Sequence, residues 1–181
     1  EAYNAHEQAI SLDPGSCLAW NNYGVFLAFN HDIERAVNAF VQAIEQSHDF
    51  PTAAANLAKL KNHGLLYDFE WVVDEVIEGY EQDIEQRPAD YRSYLCLCRF
   101  LYELNIQENR ALVLAEKARA LCEDAASCEM LALLTYRRQE FAQTRYWALR
   151  GLSLFPAARS RRRLRSLLTQ IDQLMQVVYE H

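Results

Sequence analysis

The sequence predicts an all-α fold made of consecutive helix pairs, and three observations carry that prediction. Of 181 residues only 5 are Gly and 4 are Pro, while 51% are hydrophobic, which favours helix and supplies a sizeable core. Apolar residues recur at i, i+3, i+4 and i+7, the spacing of one helical face. The prolines fall at regular intervals. Pro88 and Pro156 lie 68 residues apart, two periods of 34, and Pro14 and Pro88 lie 74 apart, two periods plus 6.

Residues 1–14 read as the second helix of a pair, closed by Asp13-Pro14. His6-Glu7 opens like the zinc-protease motif H-E-x-x-H, but position 10 is Ile, so the motif fails. Residues 17–50 read as two helices and a tight turn. Trp20, Tyr23, Gly24 and Leu27 share one face, and Gly24 permits close approach of a neighbouring helix. Asn30-His31-Asp32 is the turn, with Asp32 as N-cap. Ala36, Phe40, Ala43 and Ile44 form the facing stripe.

Residues 51–90 form the next pair. Pro51 starts its first helix, which carries Ala54, Leu57, Ala58 and Lys61, and His63-Gly64 ends it. The six extra residues are placed at Leu65–Glu70, before a second helix over 68–87 whose apolar face includes Trp71, Val72, Val76, Tyr80 and Ile84. In 91–124, Tyr94, Leu97, Cys98 and Leu101 hold the register, but Ala111, Ala115 and Ala118 come one residue late. The turn at Asn105–Asn109 is therefore predicted to be one residue longer. In 125–158 the register returns, with Leu131, Ala132, Phe141, Ala148, Gly151 and Pro156. Residues 159–181 are a lone helix with an apolar stripe of Leu164, Leu167, Leu168, Ile171, Leu174, Met175 and Val178.

Counting Cys17 as position 1, Trp stands at 4, Tyr at 7, Gly at 8, Leu at 11, Ala at 20, Phe at 24 and Ala at 27. This pattern resembles the tetratricopeptide repeat (TPR), with Tyr for Leu at 7, Leu for Tyr at 11 and His48 in place of the closing Pro. The resemblance implies a right-handed solenoid of antiparallel helix pairs. It would be one array over 1–181: a half-unit at 1–14, repeats at 17–50, 51–90, 91–124 and 125–158, and a capping helix at 159–181. It also implies a concave groove lined by the first helix of each unit. Carried over position by position, the expected partner-binding residues are Asn22, Phe29, Asn56, Lys59, Arg92, Arg99, Tyr102, Tyr136, Arg137 and Arg163.

The expected function is non-catalytic: a scaffold for a partner peptide or protein, with Arg92 and Arg99 anchoring an acidic segment and Tyr102, Tyr136 and Phe29 packing on it. Asn22 matches one position of the carboxylate clamp found in chaperone-tail adaptors. Thr52 and Asn56 stand where that clamp wants Lys and Arg, so an adaptor of that kind is not expected. No catalytic order of Ser, His and Asp, no phosphate loop and no metal cluster appears, and no cofactor is expected.

Net charge is −7, so nucleic acid is not the expected partner of the whole molecule. The run Arg159–Arg165 places five arginines against the positive end of a helix dipole. A solvated face, a protein dock and a nucleic-acid or anionic-lipid contact are its three readings. Asn21–Leu27 resembles the matching helix of type IV pilus pilotin lipoproteins, which gives an alternative assembly role.

Five cysteines within apolar patterns read as buried thiols in a reducing, cytoplasmic setting, with a Cys122–Cys128 disulfide left open. The chain opens mid-pattern, so an upstream lipoprotein signal and a periplasmic location are the alternative. No run is apolar enough to span a membrane.

Overall fold

The computed structural model describes residues 2–47, 51–65 and 69–179. Among them are ten helices and no strand: α1 (Ala2–Leu12), α2 (Cys17–Phe29), α3 (Ile33–Gln46), α4 (Pro51–Asn62), α5 (Phe69–Gln86), α6 (Tyr91–Leu104), α7 (Glu108–Leu121), α8 (Ala125–Arg137), α9 (Phe141–Ser153) and α10 (Ala158–Tyr179). They fall into two compact units, Glu1–Pro88 with Glu103–Asn105, and Ala89–Tyr102 with Ile106–His181. The extra residues expected at 65–70 include 66–68, and the closing position His48 also falls outside the described residues.

In the first unit α2 and α3 pack as an antiparallel pair, with α1 against α2 and both α4 and α5 against α3. Ser16 caps α2 by accepting from the Ala19 N–H, and Asp32 caps α3 by accepting from the Arg35 N–H at 3.4 Å. The contact between them turns on Gly24. A Cβ there would lie 2.7 Å from the Phe40 ring, so only a bare Cα lets Phe40, 1% exposed, seat against α2. Ala36, Ala43 and Ile44 complete that buried face. Arg35 ties three helices together. Its guanidinium donates to the Tyr3 hydroxyl on α1 and, at 2.6 Å, to the Tyr23 hydroxyl on α2, and it lies 5.0 Å from the Tyr3 ring centroid. Gly64, at φ +67°, ends α4 in the left-handed conformation that a side chain would strain.

In the second unit α8 is the central element, against α7, α9 and α10. Asp124 and Ser127 form a reciprocal capping box at its start. Eight of its 13 residues are buried, including Thr135, whose hydroxyl accepts from Thr144 of α9 at 3.1 Å. The residue out of register in 91–124 is not in the turn. That turn has three residues, 105–107, as do 30–32 and 138–140, while α6 has 14 residues against 13 for α2 and α8. The extra residue lengthens the helix because a helix absorbs it at the cost of one more hydrogen-bonded position. The turn then adapts through left-handed Asn105 and Gln107.

On α10 the apolar stripe is used only in part. Leu164, Leu167 and Ile171 are buried, but Leu174 and Met175 are 43% and 40% exposed; the side chain of Val178, also expected on this stripe, lies outside those described. All five cysteines are free thiols. Burial pushes Cys98 up to about 12 and Cys128 up to about 11, far from the reactive thiolate range. The charge is divided along the chain: residues 1–88 carry 15 Asp and Glu against 4 Lys and Arg, and residues 89–181 carry 10 against 14.

Candidate functional site

Each unit presents a wall built from the first helices of its pairs. In the first unit the wall joins α2 and α4. Asn21 is 4% exposed, and its carboxamide oxygen accepts from Asn56 Nδ2 at 3.0 Å. Its own Nδ2 donates to Asn22 Oδ1 at 3.4 Å, and Lys59 Nζ donates to Asn56 Oδ1 at 3.3 Å. The result is a ladder, Asn22–Asn21–Asn56–Lys59, in which Asn22 and Lys59 are the exposed ends. Beside it α2 shows three apolar side chains at i, i+7 and i+11: Leu18, Val25 and Phe29, the last 84% exposed. The sequence of α2, CLAWNNYGVFLAF, holds no charged group. This wall combines amide donors and acceptors with bare hydrocarbon, the chemistry that grips an extended peptide backbone and one or two apolar side chains.

In the second unit the wall joins α6, α8 and α10. Arg137 on α8 lies over the Tyr102 ring of α6 at 3.9 Å from its centroid, and its Nη1 donates to the Tyr102 carbonyl at 3.1 Å. Arg163 on α10 donates to Glu129 Oε1 on α8 at 3.3 Å; Glu129 is 1% exposed, whereas Arg163 is one-third exposed. Arg99 is half-buried on α6, and the exposed Arg92 sits at the start of that helix with its guanidinium 5.9 Å from the Tyr91 ring. Tyr136 packs into the α8–α9–α10 core, edge-on to Phe141 at 6.1 Å.

Of the expected residues, Asn22, Asn56 and Lys59 are linked through the asparagine ladder, Arg137 contacts Tyr102, and Arg163 pairs with Glu129, while Phe29 stands exposed on α2 and Arg92 and Arg99 lie on α6. Asn21 and Glu129 make the cross-helix bonds of these walls; spacing places both at groove-lining positions of first helices but gives neither a role. The signal for both was present. The cross-helix bonds Asn21–Asn56, Tyr102–Arg137 and Glu129–Arg163 span 35, 35 and 34 residues, one repeat each. Complementary polar side chains one period apart on successive first helices are the pattern to look for.

Among the described residues no group of three or more His, Cys, Asp or Glu could hold a metal ion, and no helix is long and apolar enough to cross a membrane.

Both units are built of helix pairs whose first helices carry polar side chains bonded across one repeat. Residues 7–38, from mid-α1 to early α3, match the family model described as tetratricopeptide repeat, and the described residues of the chain are all-α. A solved structure titled "MamA RS-1 ArsTM double mutant" is similar over 85% of this chain and 83% of that one, with a TM-score of 0.45 and 18% identity. Comparison with the curated proteins gives no match.

Proposed function

We propose that this scaffold is non-catalytic and holds an extended, carboxylate-bearing segment of another protein on its first-helix walls. The observation that carries the reading is the fixed posture of Arg137. Its guanidinium is stacked on Tyr102 and bonded to a backbone carbonyl, so a partly exposed cation is held in one place before any ligand arrives. Arg92 and Arg99 on α6 add positive charge to the same wall, and the asparagine ladder of the first unit adds groups suited to a peptide backbone. Arg163 contributes less than its charge implies, because Glu129 offsets it.

The test is fluorescence anisotropy with labelled Asp/Glu-rich peptides against neutral peptides of equal length. The acidic peptides bind, and more weakly as salt rises. The double substitution R92A/R99A weakens binding at least about tenfold, the loss expected for removing charge-assisted contacts, with the melting temperature unchanged. Equal affinity for the neutral peptides, or for the double variant, sinks the reading.

A further inference from the structure

On the side of α3 and α5, away from the first-helix walls, the first unit has an open cleft of about 360 Å³. Val41 and Ile44 of α3 and Val76 and Gly79 of α5 make its apolar surface, and Glu45, Glu75 and Glu78 stand on its rim. None of its lining residues is a cation. Glu45 accepts from Gln42 Nε2 at 2.6 Å, while Glu75 and Glu78 are exposed. Hydrocarbon flanked by carboxylates is complementary to arginine, whose methylene stem lies on apolar surface while its planar head pairs with carboxylate oxygens.

The chain carries its own complement. α10 opens with Arg159, Arg161, Arg162 and Arg165, all exposed, and has no acidic residue in its first turn. These cations stand against the positive end of the helix dipole, and carboxylates brought there relieve both the dipole and their mutual repulsion. The division of charge acts the same way at longer range. Residues 1–88 are net −11, from 15 acidic and 4 basic groups, and residues 89–181 are net +4, from 10 and 14, so two copies attract when opposite halves meet.

We propose that the α3–α5 cleft receives the arginine-bearing first turns of α10 from a second copy of this chain. A reciprocal pair of such contacts closes a two-fold dimer, and a single contact repeated head to tail grows a filament. Either raises the mass above the 21.0 kDa of one chain.

The experiment is analytical ultracentrifugation of the whole chain across concentration, at low salt and at about 0.5 M salt, where the screening length is only a few ångströms. Wild type associates at low salt and dissociates at high salt. The charge reversals E75K/E78K and R162E/R165E each weaken association at least about tenfold. A 1:1 mixture of the two variants regains it, because each supplies the intact or reversed partner of the other's surface. All four positions are exposed, and circular dichroism with melting temperature verifies that both variants stay folded. The R92A/R99A variant associates like wild type, which separates this contact from peptide binding. A 21.0 kDa monomer at every salt and concentration, association indifferent to either reversal, or variants that do not complement one another overturns the proposal.

Discussion

Helices α2 and α8 occupy the same place in their pairs, have 13 residues each and start on a side-chain cap, yet they are filled differently. α2 buries four residues, Asn21, Tyr23, Gly24 and Leu27; α8 buries eight, a glutamate and two hydroxyl residues among them. On α8 the inner wall is covered by α10, which brings Arg163 to Glu129 and Leu164 to the core around Ala132. On α2 the neighbouring wall helix is α4, and Leu18, Val25 and Phe29 stay exposed. The same hairpin architecture therefore gives a first helix largely covered by α10 in one unit and one that keeps apolar side chains exposed in the other. Burial is set by the side chains of the next repeat, not by the hairpin itself.

The largest effect that tests this contrast is a matched pair of truncations. Leu131→Ala on α8 removes a side chain with 0% exposure and lowers unfolding free energy by about 2–5 kcal/mol. Val25→Ala on α2, at 47% exposure, changes it by no more than about 0.5 kcal/mol. Denaturant titration of both variants decides it, and equal losses would break the distinction between the two walls. Next in size is Gly24→Ala. The new methyl meets the Phe40 ring, which is buried and cannot swing away, so the α2–α3 pair must part and about 1–3 kcal/mol is lost despite the better helix propensity of Ala. A gain in stability would mean that Phe40 has room to move.

Those two sites also mark how far the sequence could be read. Gly24 opposite Phe40, Asp32 as a cap, Pro51 as a start and Gly64 as a stop were all legible, because each is a local rule of backbone or packing. The extra residue of 91–124 was misplaced into a turn, since register alone counts residues between landmarks and does not say which element absorbs one. The wall residues were legible as positions but not as states. Spacing puts Arg137 and Arg163 on first helices; it does not say that one stacks on Tyr102 and the other is offset by a buried Glu129. Those choices rest on side-chain geometry one repeat away. There, a hydrogen bond worth about 1–3 kcal/mol decides whether a cation faces solvent or its neighbour.

The smallest effect concerns a pair that fastens the second unit's outer side. Arg150 on α9 donates to both carboxylate oxygens of Glu123, at 2.6 and 3.3 Å, just ahead of α8. That hydrogen bonding holds the Glu123 carboxyl below the ordinary glutamate range. A depressed folded-state value means the charged form is favoured on folding, so the contribution is complete above the unfolded value of about 4.3 and is lost as pH falls through the folded one. Melting temperatures of wild type and Glu123→Gln should therefore differ by a small constant amount from pH 7 to about 5 and converge as pH falls through the depressed folded value. Both side chains are substantially exposed, so the gap also narrows in high salt, whereas the gap opened by Leu131→Ala does not. If the Glu123→Gln gap persisted unchanged into acid, the pair would be acting through packing. The second unit's outer surface would then be fastened by the same means as its core.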